Sequence, residues 1–191
     1  MNMVKCRQIS WERVATELNA CGFGINGFNP EQDGWLTNAY FENDVEHIWR
    51  SNIRVSNQRF WAVLKDAVSG FHGETILFHD GKAGWRKRGN ERIGRFLSVG
   101  NVAYAIDFLR RHTYYSREQW EYGNKSDNYY LLSPENRVIV AFTHHGEFYC
   151  FSRNENTLSG IAKIFLGNRL SMRKSFGQLI KIVANCEPQS N

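Results

Sequence analysis

The chain has 191 residues, of which 42% are apolar and 14% aromatic, with only three prolines and a formal net charge of +5. A chain this long forms a single domain that buries roughly 70% of the surface its unfolded form exposes, so no disulfide or metal is needed to hold a core. The composition excludes a disordered chain. The cysteines Cys6, Cys21, Cys150 and Cys186 form no C-x-x-C pair, no run approaches the length of a membrane span, and "MNMVKCRQISWERV" has no apolar leader region. A cytoplasmic protein with free, mostly buried thiols and no membrane partner is the expectation.

The first predicted element is a helix capped by Ser10, with Trp11, Val14, Ala15, Leu18 and Cys21 on one stripe and Gly22 at its end. Residues 23–42 are rich in Gly, Asn and Asp and read as an irregular loop with aromatic anchors. A short helix near 43–51 follows, then a longer one near 57–69 with Phe60, Trp61, Leu64 and Val68 on one face. "GETILFHDGKAGWRKRG" reads as a strand, a turn at Asp80-Gly81 and a return strand, with residues 93–99 available to pair with them. Asn101 caps a helix whose stripe is Val102, Ala105, Ile106 and Leu109, and the stretch from Arg111 to Asp127 reads as loop.

From Asn128 the pattern becomes a meander: strand "NYYLL", turn "SPEN", strand "RVIVAFT", turn "HHGE" and strand "FYCFS". The run Val138 to Phe142 is apolar on both faces, which predicts a central strand covered by helices. Two helices close the chain, one carrying Leu158, Ile161, Ala162 and Phe165 and stopping at Gly167, the other starting after Ser171 with Phe176, Leu179, Ile180 and Val183. The predicted architecture is a single α+β domain over residues 1–191. A mainly antiparallel sheet, with its meander near 128–152, packs against N-terminal and C-terminal helices.

His144 and His145 are the first candidates for chemistry. Neighbours on a strand point to opposite faces and could not both ligate one metal, and no H-x-x-x-H spacing supplies further ligands. With a nearby Lys or Tyr they would suit metal-independent RNA cleavage. The simpler reading is a polar turn between two core strands. The "HGE" at 72–74 lacks the downstream P-C-x-x-C that a zinc deaminase requires. "GFGING" matches G-x-G-x-x-G, but a helix enters it where a phosphate-binding loop needs a strand. No metal or other cofactor is expected.

Charge is segregated along the chain. Residues 31–46 hold Glu31, Asp33, Glu42, Asp44 and Glu46 with no Lys or Arg, interleaved with Trp35, Tyr40 and Phe41. Asp33, Trp35, Tyr40, Glu42 and Asp44 are the predicted partner-binding set, since aromatic anchors bury area while acids steer a basic partner. Residues 82–95 hold Lys82, Arg86, Lys87, Arg88, Arg92 and Arg95 against the single acid Glu91, with Trp85 among them. This run has the cations and the aromatic ring that a nucleic-acid groove uses, and equally suits an acidic protein.

The segment "NYYLLSPENRVIVAFTHHGEFYCFSR", 26 residues with helices before and after it, resembles the strand meanders of small bacterial immunity proteins. The resemblance implies a protein that neutralises a toxin by covering or clamping it. The isoelectric point near 9.1 departs from the acidic character frequent among immunity proteins against nucleases. It implies a toxin that is not a nuclease, or contact through the acidic loop alone. The leading expectation is therefore a non-enzymatic protein-binding inhibitor, an immunity protein or antitoxin whose partner is a toxin or effector domain. The competing one is a nucleic-acid-binding or RNA-cleaving protein using residues 82–95 with His144 and His145.

Overall fold

Strand sequences apolar on both faces dominate the second half of the chain, and they assemble with distant partners into one large sheet. The computed structural model describes residues 6–25, 27, 29, 48–51, 58–79, 85–88, 91–113, 128–142, 148–170 and 172–174. The strands are β1 (Cys6–Gln8), β2 (Ile48–Ser51), β3 (Thr75–His79), β4 (Trp85–Arg88), β5 (Glu91–Ile93), β6 (Leu97–Val99), β7 (Tyr129–Ser133), β8 (Val138–Phe142), β9 (Phe148–Phe151) and β10 (Met172–Lys174). The helices are α1 (Trp11–Ala20), α2 (Gln58–Ala67), α3 (Val102–Thr113) and α4 (Glu155–Gly167). Among the described residues eight strands form a sheet in the order β1-β6-β3-β7-β8-β9-β2-β10, antiparallel throughout, and β4 with β5 makes a separate ribbon. The α+β class, with a mainly antiparallel sheet core, is as the sequence predicts.

Strand alternation sends successive residues to opposite faces. One register row, Leu77, Leu131, Val140 and Cys150, joins the core shared with α2, α3 and α4. The adjoining residues Phe78, Tyr130 and Ala141 join the second core with Val14 and Leu18 of α1 and with Phe23 and Ile25. Val138 to Phe142 are all at most 1% exposed, so β8 is the doubly covered central strand its composition predicts. Packing on the three-helix face is aromatic: Phe60 of α2 lies 4.9 Å from Phe148, which stacks on Phe165 of α4 at 5.6 Å.

Local chemistry sets the helix ends. Ser10 accepts from the Arg13 N–H, Asn101 from the Tyr104 N–H, and Asn154 from the Asn156 and Thr157 N–H groups. Gly22, at φ +88°, terminates α1 as expected. α4 stops at Gly167, as expected, and the residues that follow close it. Arg169 takes the left-handed conformation at φ +58°, its N–H donates to Leu166 O, and the Leu170 N–H donates to Phe165 O. That is a Schellman closure built on an arginine.

Three expectations change. The helix near 43–51 is strand β2 where it is described, held between β9 and β10, because cross-strand partners override a weak helical stripe. Trp85–Arg88 does not fold back on β3; it pairs with β5, while β3 is flanked by β6 and β7. Residues 93–99 do supply partners for both strands, as expected: Ile93 pairs with Trp85, and Leu97–Val99 pairs with β3 and, on its other side, β1. After Ser171 the chain begins as strand β10, and Phe176, Leu179, Ile180 and Val183 lie outside the described residues.

Candidate functional site

The basic run forms a ribbon with a buried root. In β4–β5, Trp85 is opposite Ile93, Arg86 opposite Arg92 and Arg88 opposite Glu91, with an irregularity between Arg86 and Arg88. Trp85 is only 2% exposed. Its ring meets His79 at 4.7 Å, Phe108 at 5.2 Å and Tyr129 at 5.3 Å, and its Nε1–H donates to Arg95 O at 2.9 Å. The expected role of Trp85 in stacking a base is thus corrected: the indole belongs to the core, where it anchors the ribbon. Arg95 is also buried, with its guanidinium 5.3 Å from the Phe96 ring, and is not part of an open basic surface. Arg86, Lys87, Arg88 and Arg92 lie on the ribbon strands, whereas Lys82 lies outside the described residues.

Beside the ribbon is a cleft of about 630 Å³ that no motif in the sequence announced. One wall is α3, whose Tyr104, Phe108 and Arg111 recur at helical spacing. His112 adds a ring 4.2 Å from Phe108 and 5.3 Å from Trp85. The facing wall is edge strand β1 with Cys6 and Gln8, joined by Leu97 of β6 and Ile93 of β5; among the described residues the lining includes no carboxylate. Burial pushes the Cys6 thiol above its ordinary pKa.

The remaining candidates separate. Phe142 and Phe148 are register partners at the ends of β8 and β9, and the residues between them, including His144 and His145, lie outside the described residues. So do Asp33, Trp35, Tyr40, Glu42 and Asp44. His72 is exposed and faces Glu135 at 3.5 Å, whereas Glu74 accepts from Arg13 at 3.3 Å and from the Ser98 hydroxyl. The "HGE" pair therefore serves two separate surface interactions. Among the described residues no three His, Cys, Asp or Glu side chains converge as metal ligands, and no helix is long and apolar enough to cross a membrane. Comparison with protein-family models, with curated proteins and with solved structures returns no match.

Proposed function

We propose that this chain is a non-enzymatic protein-binding inhibitor of the immunity-protein or antitoxin kind, and that the ribbon β4–β5 docks it on an acidic surface of its partner. One observation carries the reading: Arg86 stands opposite Arg92 in a ribbon whose only aromatic residue, Trp85, is committed to the core. Cations at opposed register positions concentrate positive charge on one short ribbon, which suits an anionic partner. What the ribbon has to offer such a partner is cations, which favour fast, salt-sensitive association. The nucleic-acid reading keeps those cations but loses the stacking residue that favoured it. The acidic, aromatic stretch 31–46 remains a second contact candidate by its composition.

The test is co-purification of the tagged chain at low salt with and without nuclease, followed by binding between the purified components. The reading predicts a stoichiometric protein that survives nuclease, loses function when bound, and is released by the double variant Arg86→Glu, Arg88→Glu. Capture of nucleic acid alone, leaving as salt is raised, would overturn it.

A further inference from the structure

We infer that the groove between β1 and α3 is a peptide-binding site that takes an extended acidic segment of a partner protein by strand addition to β1. The inference rests on the reading of the chain as a protein-binding module and names a second, structurally independent contact.

The backbone argument comes first. The Ile9 N–H donates to Phe96 O at 2.9 Å, and the β1–β6 register sets Cys6 opposite Val99, Arg7 opposite Ser98 and Gln8 opposite Leu97. Hydrogen-bonded and non-hydrogen-bonded pairs alternate along an antiparallel ladder. Ile9 and Arg7 therefore turn their N–H and C=O toward β6, while Cys6 and Gln8 turn theirs outward. Among the described residues β1 is an end strand of the sheet. The outward backbone groups thus belong to the two β1 residues whose side chains line the groove. A strand that pairs with Cys6 and Gln8 places the residues directly opposite them on that same face, so its alternate side chains enter the space beside α3.

The groove specifies what those side chains are. Leu97, Ile93 and Phe108 offer apolar surface, and Arg111 and His112 line the groove from the last turn of α3. The Arg111 side chain is exposed, and its Nε–H donates to Asp107 O at 3.2 Å, which fixes the stem of the guanidinium on the helix. Among the described residues the lining holds no carboxylate, and this charge is complementary to an incoming Asp or Glu. Ile93 belongs to β5, so the basic ribbon adjoins the groove, and one acidic partner can span both.

The test uses a short fluorescein-labelled peptide of alternating valine and glutamate, a matched peptide with lysine for glutamate, and free glutarate as competitor. Anisotropy should show saturable binding of the acidic peptide only, with weakening of about tenfold or more in Arg111→Glu. Gln8→Pro removes an outward N–H while leaving the β1–β6 bonds in place, and should abolish binding. In a Cys186→Ser chain the acidic peptide should slow alkylation of Cys6 and hydrogen exchange of the Cys6 and Gln8 amides. Equal binding of the lysine peptide, full competition by glutarate, or indifference to both variants overturns strand addition. If no peptide binds, the purified partner decides. Release by Arg111→Glu and Gln8→Pro upholds the groove. Release by ribbon reversal alone overturns the groove and leaves the inhibitor reading standing, and release by neither overturns both.

Discussion

Trp85 and Arg95 are tied to each other across the base of the ribbon, indole N–H to backbone carbonyl, at 2.9 Å. The bond closes the two ends of a strongly basic segment onto the core, so fold stability and presentation of the cations depend on one side chain. Trp85→Phe keeps an aromatic ring but leaves the carbonyl without its donor, and should lower unfolding free energy by about 1–3 kcal/mol. Trp85→Ala should lower it by about 3–5 kcal/mol by adding a cavity beside Phe108 and Tyr129. Urea unfolding checks both, and a Trp85→Ala chain as stable as the parent would show that the indole is not an anchor.

The arginine in the Schellman closure of α4 points to a gain in stability. Arg169 is exposed and sits at φ +58°, where a Cβ is strained and glycine is not. Arg169→Gly should stabilise the chain by about 1 kcal/mol and raise its melting temperature. A lower melting temperature would mean that the arginine side chain has a compensating contact.

Gly73 predicts the opposite. It lies at φ +81°, and a Cβ there would collide with the Glu135 carboxylate. Gly73→Ala should destabilise by about 1–2 kcal/mol, chiefly from left-handed strain. The half-exposed Glu135 carboxylate can swing aside, so adding Glu135→Ala should recover little. Complete recovery would show that φ carries no penalty here.

The buried thiols set an alkaline limit. Burial raises Cys21 from its ordinary 9.0 to about 11, and pushes Cys150 higher still. The folded state keeps protons that the unfolded state loses, so this contribution to stability is fully present below about pH 9 and is lost as pH rises toward the folded values. Urea midpoints should fall across that alkaline range, and Cys21→Ala should flatten the fall. A midpoint that stays level would contradict the assignment. At neutral pH, both thiols should alkylate far more slowly than Cys6.

His144 and His145 offer the sharpest functional contrast. An inhibitor should keep its fold and its partner affinity in His144→Ala and His145→Ala, with no RNA turnover before or after. An RNA-cleaving enzyme should lose turnover in either variant while melting at the parental temperature.

Legibility in the sequence followed locality. The strands at 129–142 and 148–151 were readable because turn residues and apolar runs lie within a few positions of one another, and α1 to α4 because each carries its own stripe. β2 was not readable: Ile48–Ser51 gains its identity from Tyr149, Cys150 and Phe151, a hundred positions away. The place of Trp85 is hidden for a related reason. Its neighbours in sequence are cations, whereas its neighbours in space are His79, Phe108 and Tyr129. The groove left no motif because Cys6 and Gln8 reach α3 only through β6, a three-residue strand whose register no local pattern specifies.

The sheet's order also fixes when the protein can first act. β1 pairs with β6, so Cys6 has no partner until Val99 has been synthesised, and Trp49 of β2 waits for Cys150. At about 5–20 residues per second each delay lasts on the order of 5–20 s. Through that interval the earliest strands leave the ribosome before their partners exist, and the β1 edge has no helix beside it. A groove that ends at His112 comes into being only once more than half of the 191-residue chain has emerged. Under the proposed inhibitor reading, a partner made nearby would meet a complete groove only late in translation, so the relative timing of the two syntheses would matter.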